Sequence, residues 1–161
     1  INMIIDQARA GGKLLFIGNG ASASISSHMA VDFFKNAGIE AMSFNNSALL
    51  TCLSNDYGYK HVFEKPVEMF DKNKDILIAI SSSGQSENIL QAVEAARKKG
   101  IRVITFSGFK EDNPLRKLGD INFYVPFFDY GHVEVMHLSL CHCLVDVIIK
   151  NKQKKEVGAY E

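Results

Sequence analysis

Four serines fall within six positions, Ser81-Ser82-Ser83-Gly84-Gln85-Ser86, directly after the apolar run Ile76 to Ile80. An apolar run without alternation reads as a strand buried on both faces, and so as part of a parallel sheet. A strand that ends in a small-residue loop and then opens a helix presents free backbone N–H groups. The helix dipole adds positive potential at the same place, and serine hydroxyls add further donors. One serine is enough to cap a helix. Four exceed that need, so the loop reads as an anion site, and a phosphate fits it without any lysine.

The same design occurs earlier, where Leu14 to Ile17 leads into Gly18-Asn19-Gly20-Ala21-Ser22-Ala23. This loop fits the dinucleotide pattern G-x-G-x-x-A, a weak signal alone. A ribose-binding acid should then close the second strand. That strand instead ends in Phe44-Asn45-Asn46, with Glu40 at its start, so no nucleotide cofactor is expected. A tight strand-to-helix turn and a ligand loop both remain open readings here.

Acid–base chemistry has two candidate pairs. His28 and Asp32 are spaced i,i+4 and share a helix face. Glu134 and His142, spaced i,i+8, again lie on one side of one helix. Two imidazoles and two carboxylates can form acid–base pairs or a metal site. His61, His132 and His137 read as packed or solvated side chains.

The elements that position these groups alternate along the chain. Helices are expected over 1–11, 22–37, 48–53, 59–70, 86–99 and 133–150. Strands are expected over 13–18, 40–44, 75–80, 102–107 and 121–126. The alternation implies right-handed crossovers and an open parallel sheet with helices on both faces. Five strands with ligand loops at their carboxyl ends imply a flavodoxin-like order. The chain has 161 residues, suited to one domain, with 18 basic and 18 acidic side chains. That balance gives no reason to expect a nucleic-acid partner. The apolar runs look short of a membrane span, no signal peptide is apparent, and a cytoplasmic protein is expected. Of three cysteines, Cys141 and Cys143 fall in an apolar helical run and are expected to be reduced core residues. The helical pattern is already running at Ile1, so a few further residues or a whole helix are expected upstream.

Ser81-x-Ser83-Gly84-x-Ser86 after a parallel strand resembles the phosphosugar loop of SIS (sugar isomerase) domains. Four more stretches narrow the resemblance: Gly18-Asn19-Gly20-Ala21-Ser22, Ser54-Asn55-Asp56-Tyr57-Gly58-Tyr59, Val62-Phe63 and Glu134-x-x-His137-x-x-x-x-His142. Together with His28 they resemble the phosphoheptose isomerase branch, which interconverts sedoheptulose 7-phosphate and D-glycero-D-manno-heptose 7-phosphate. The resemblance implies a single SIS domain over residues 1–161 and aldose–ketose isomerisation through an enediol. It implies that Asp32 and His142 are catalytic. It implies substrate contacts from Asn19, Gly20, Ser22, Asn55, Asp56, Ser81, Ser82, Ser83, Ser86 and Glu134. It leaves room for one divalent metal, zinc, on His28, Asp32, Glu134 and His142, and implies a homotetramer with active sites between subunits. Four positions depart from the family pattern: Asp32 stands for a glutamate, Glu134 for a glutamine, Gly131 for an aspartate and Asn36 for an arginine. A non-catalytic relative that binds a replication initiator is the alternative. The two retained histidines and the acid at position 32 favour an enzyme.

Overall fold

The computed structural model describes residues 1–70 and 73–157. Five parallel strands form one sheet: β1 (Leu14–Gly18), β2 (Ala41–Ser43), β3 (Ile76–Ser81), β4 (Arg102–Gly108) and β5 (Ile121–Val125), in the order β2-β1-β3-β4-β5. This is the expected flavodoxin-like order. Every residue of β1 and β3 is buried, whereas the edge strands β2 and β5 are partly open. The unbroken apolar runs therefore became the central strands, because only central strands are covered on both faces.

Alternate residues of the central strands feed two cores. Leu14, Phe16, Ile76, Ile78, Ile80, Ile104 and Phe106 pack against α1 (Asn2–Arg9), α2 (Ala21–Lys35) and α6 (Tyr130–Val157). Leu15, Ile17, Leu77, Ala79 and Val103 pack against α3 (Ser47–Tyr57), α4 (Glu64–Met69) and α5 (Glu87–Lys98). At the amino ends of β1 and β3, Lys13 and Asp75 meet. The Lys13 ammonium donates to Asp75 Oδ2 at 2.7 Å and the Lys13 backbone N–H to Oδ1 at 3.0 Å. Asp75 is fully buried, and both its oxygens are satisfied, as a buried carboxylate requires.

Register aligns the opposite ends. Gly18 pairs with Ile80, and Ser81 with Ser107. The loops after β1 and β3 thus leave adjacent strands at one level. They do so where the strand order reverses direction, the place at which open α/β sheets bind ligands.

Three elements differ from the sequence expectation. Helix α3 runs to Tyr57, capped by Asn46 Oδ1 accepting from the Leu49 N–H at 3.1 Å, so Ser54-Asn55-Asp56 lie on its last turn. The expected helix over 59–70 is split into a 3-10 turn at Tyr59–His61 and α4. Pro66 explains the split, since it tolerates a first turn but cannot donate to a preceding one. Helix α6 is longer than expected, and its segment Tyr130–Gln153 is long and apolar enough to cross a membrane by length and composition, an 18-residue stretch within it having a mean hydropathy of 1.5. Its stripe Val133, His137, Cys141, Val145 and Ile148 is buried within the fold. Cys141 is a core thiol, pushed up to about 12 by burial and so held protonated. Cys143 is exposed, contrary to expectation, because two residues along a helix point about 200° away.

Candidate active site

A cavity of about 230 Å³ opens between the two loops, lined by Asn19, Gly20, Ser22, Ser81, Ser82, Ser83 and Ser86, with Tyr130 and Glu134 on its α6 side. Ser86 occupies the N-cap position of α5, yet its hydroxyl makes no cap bond and lies 3.2 Å from Ser81 Oγ. Ser83 Oγ accepts from the Gln85 N–H at 3.2 Å. The serines thus shape the loop instead of closing the helix, which leaves N–H donors at the start of α5 for a ligand.

The loop is held from behind. Gly84 has φ +64°, and a Cβ there would lie 2.0 Å from Asn113 Oδ1. Asn113 is buried; its amide donates to the carbonyls of Gly108 and Lys110 at 3.2 and 2.8 Å and accepts from the Arg116 N–H at 3.0 Å. The first loop is pinned by paired amides. Asn19 Nδ2 donates to Asn88 Oδ1 at 2.9 Å, and Asn88 Nδ2 donates back to Asn19 Oδ1 at 3.0 Å. The Tyr59 hydroxyl also donates to Asn19 Oδ1, at 3.0 Å. A Cβ on Gly18 would lie 2.5 Å from the Ser22 carbonyl. The loop is thus a tight turn, and the same turn lines the serine cavity.

Farther along α2 and α6, three side chains converge. Asp32 Oδ2 lies 3.5 Å from His28 Nε2 and 3.6 Å from His142 Nδ1. The two imidazoles meet edge to face at 5.4 Å. One ligand atom from each residue lies within 4.8 Å of the others. Two imidazoles and a carboxylate with room for a further ligand are the donor set of a catalytic zinc site. Asp32 is mostly buried, while both imidazoles are open to solvent on one side. The Asn36 amide donates to Asp32 Oδ1 at 3.2 Å.

A profile of the SIS domain matches residues 1–108. The chain belongs to the SIS domain family. The phosphoheptose isomerase of Yersinia pestis is 37% identical over 158 residues, spanning 94% of this chain and 81% of that protein. Solved structures agree. The phosphoheptose isomerase of Neisseria gonorrhoeae superposes with a TM-score of 0.85 at 30% identity, over 91% of this chain and 82% of that one. The enzyme of Francisella tularensis gives 0.86 at 31% identity, over 92% and 82%. Within the SIS family this chain lies in the phosphoheptose isomerase branch.

In this SIS domain the expected residues separate into two groups. Asn19, Gly20, Ser22, the four loop serines and Glu134 share the cavity. His28, Asp32 and His142 share the cluster. The sequence reading put Glu134 with the cluster as a metal ligand as well; among the described residues Glu134 is not part of it. It lies eight residues before His142, about 12 Å along the helix, and lines the serine cavity instead. Asn55 and Asp56 are exposed at the end of α3, where the Asn55 amide donates to Asp56 Oδ1 at 2.9 Å. His137 is fully buried, with Nε2 donating to the Ser107 carbonyl at 3.1 Å, and burial lowers its pKa. His61 pairs with Glu64, and His132 is exposed near Asp129. Sequence reasoning missed Asn88, Tyr59, Asn113 and Tyr130. Two of them had a local signal: Tyr59 lies in the stretch Ser54 to Tyr59 that carries the family resemblance, and Tyr130 is spaced i,i+4 from Glu134.

Proposed function

We propose that this chain is a phosphosugar aldose–ketose isomerase whose substrate is sedoheptulose 7-phosphate. The observation that carries the proposal is Asp32 held within 3.6 Å of two imidazoles, in a chain that also forms a serine-lined cavity. The serine hydroxyls and the opening of α5 bind the phosphate. Asn19 and Glu134 take sugar hydroxyls. Asp32 removes the proton from the carbon beside the carbonyl, and His142 protonates the carbonyl oxygen to give the enediol. Asp32 then returns the proton to the neighbouring carbon while His142, left neutral by the first transfer, takes the proton from the other hydroxyl as the new carbonyl forms. His28 orients Asp32.

The carboxylates differ from the family pattern. Asp32 is one methylene shorter than glutamate, so its carboxylate sits closer to the α2 backbone than a glutamate's would. A divalent ion such as zinc would be held by His28, Asp32 and His142. When bound, it would polarise the carbonyl and stabilise charge on the enediolate oxygen.

A homotetramer with shared sites is part of the same reading, and two features support it. Asp32 lies ten residues beyond Ser22, about 15 Å along α2. An extended heptose phosphate reaches about 9 Å from C2 to phosphorus with bonds near 1.5 Å. One subunit's serine cavity and its own cluster are therefore too far apart for one substrate, whereas cavity and cluster from neighbouring subunits can meet. Val31 and Phe34, beside Asp32, and Val135, Met136 and Val147 on α6 are exposed apolar side chains suited to such contacts.

The test is deuterium uptake from D2O into sedoheptulose 7-phosphate, followed by proton NMR. The parent chain should exchange the C1 proton, and His142→Ala and Asp32→Ala should not. A parent chain that binds the sugar phosphate yet exchanges nothing would reduce it to a binding protein.

A further inference from the structure

The α6 wall of the serine cavity has a component that phosphate binding does not use. Tyr130 and Glu134, one helical turn apart, both line the cavity opposite the serines. Tyr130 is 60% exposed, so its ring is not a core side chain. It is nevertheless held in place from behind. The Phe109 ring meets it edge to face at 4.9 Å, and Phe128 stacks on Phe109 at 6.1 Å.

Phe109 is itself fixed by its backbone. It has φ +58°, the only positive φ outside glycine among the described residues. Its N–H donates to the Phe127 carbonyl at 3.0 Å, and its carbonyl accepts from the Tyr124 hydroxyl at 2.8 Å. The Arg116 guanidinium in turn covers the Tyr124 ring at 4.3 Å. A bulky residue kept in a disfavoured conformation by surrounding bonds is a mark of a position under functional constraint.

An aromatic face beside a carboxylate suits one kind of ligand surface. The C–H face of a polyhydroxylated chain packs on the ring, while the carboxylate accepts from hydroxyls at its edge. A phosphate has no such face. We infer that Tyr130 is a specificity-determining contact for the carbon chain of the sugar phosphate, and that Phe109 is the positioning residue that presents its ring. The inference rests on the isomerase reading above and assigns the ring to the sugar, not to the anion.

Calorimetric titration with two probes tests it, inorganic phosphate and sedoheptulose 7-phosphate. Tyr130→Ala should weaken sedoheptulose 7-phosphate binding about tenfold, in line with the usual worth of an aromatic contact, and leave inorganic phosphate unchanged. Tyr130→Phe keeps the ring and should bind like the parent. Phe109→Leu should raise KM several-fold at unchanged kcat, and Phe109→Tyr, which keeps a ring edge against Tyr130, should restore it. Equal loss for both probes in Tyr130→Ala, or no loss for either, would overturn the inference. So would Tyr130→Phe binding as weakly as Tyr130→Ala, which would assign the effect to the hydroxyl. A parent chain that binds inorganic phosphate but not sedoheptulose 7-phosphate would overturn the isomerase reading, and this inference with it.

Discussion

Gly84→Ala should destabilise the fold and empty the phosphate site, by an amount set by two separable causes. The first is backbone conformation. An alanine at φ +64° costs about 1–2 kcal/mol over glycine. The second is Asn113. The new methyl would fall 2.0 Å from its Oδ1 and 2.4 Å from its Cγ. Asn113 cannot swing aside freely, because it is buried and makes three hydrogen bonds to the backbone. Forcing it out leaves buried groups unpaired, at about 1–3 kcal/mol. The sum is roughly 2–5 kcal/mol, a large share of the ~5–15 kcal/mol that holds a domain together. Two other glycines isolate the causes. Gly11 has φ +83° with nothing near its Cβ position, so Gly11→Ala should show the conformational cost alone, about 1–2 kcal/mol. Gly131 lies in the first turn of α6 with open space around it, so Gly131→Ala should be neutral or stabilising by up to about 1 kcal/mol. Urea unfolding of the three variants measures the series, and titration with inorganic phosphate at low urea measures the site. If Gly84→Ala costs no more than Gly11→Ala, or still binds phosphate like the parent, Asn113 does not hold the serine loop as argued.

Other perturbations probe the remaining groups. Ser83→Asp puts a carboxylate beside the phosphate and should weaken sugar-phosphate binding roughly 100-fold or more by calorimetry. Asp32→Glu should match or exceed parental turnover if Asp32 is a shortened base, whereas Asp32→Ala should lose about 100-fold or more; equal rates for the two would remove Asp32 from the chemistry. His137 is buried neutral with a lowered pKa, so its contribution to stability is present above pH ~6.5 and is lost as pH falls below that, because only the unfolded state then takes up the proton. His137→Leu should flatten the slope of stability against pH below 6.5 relative to the parent, by at most about 1.4 kcal/mol per pH unit. Light scattering at micromolar concentration should give a tetramer; a monomer would refute the shared site.

Much of the fold was legible because its signals are local. The unbroken apolar runs at 14–17 and 76–80 marked central strands, and the alternation of strand and helix marked a parallel sheet. Helix ends were harder to read. Ser54-Asn55-Asp56 have weak helix preference, yet α3 continues through them, and α6 runs well past the expected 150. Packing of a neighbouring face decides such boundaries, and packing has no signature at one position. Cys143 shows the same limit on a smaller scale: apolar residues surround α6 on every side, and only the docked helix shows which of them face the sheet.

The amino-acid sequence by itself determined which chemical groups are present and which lie close together along the chain. The spacing of Ser81 to Ser86 and the pair His28/Asp32 depend on contacts within one loop or one helix, where a few residues of chain set the geometry; Glu134 and His142 share a helix without meeting. Tertiary structure alone decided how these groups combine. Asp32 meets His142 only because α2 and α6 cover the same face of the sheet, and Glu134 joins the serines because it lies two turns before that meeting point. Phe109 reaches Tyr130, and Asn113 reaches Gly84, across chain separations that no local pattern encodes. Such contacts depend on the register of β1, β3 and β4 and on the burial that docks each helix, which are properties of the whole core.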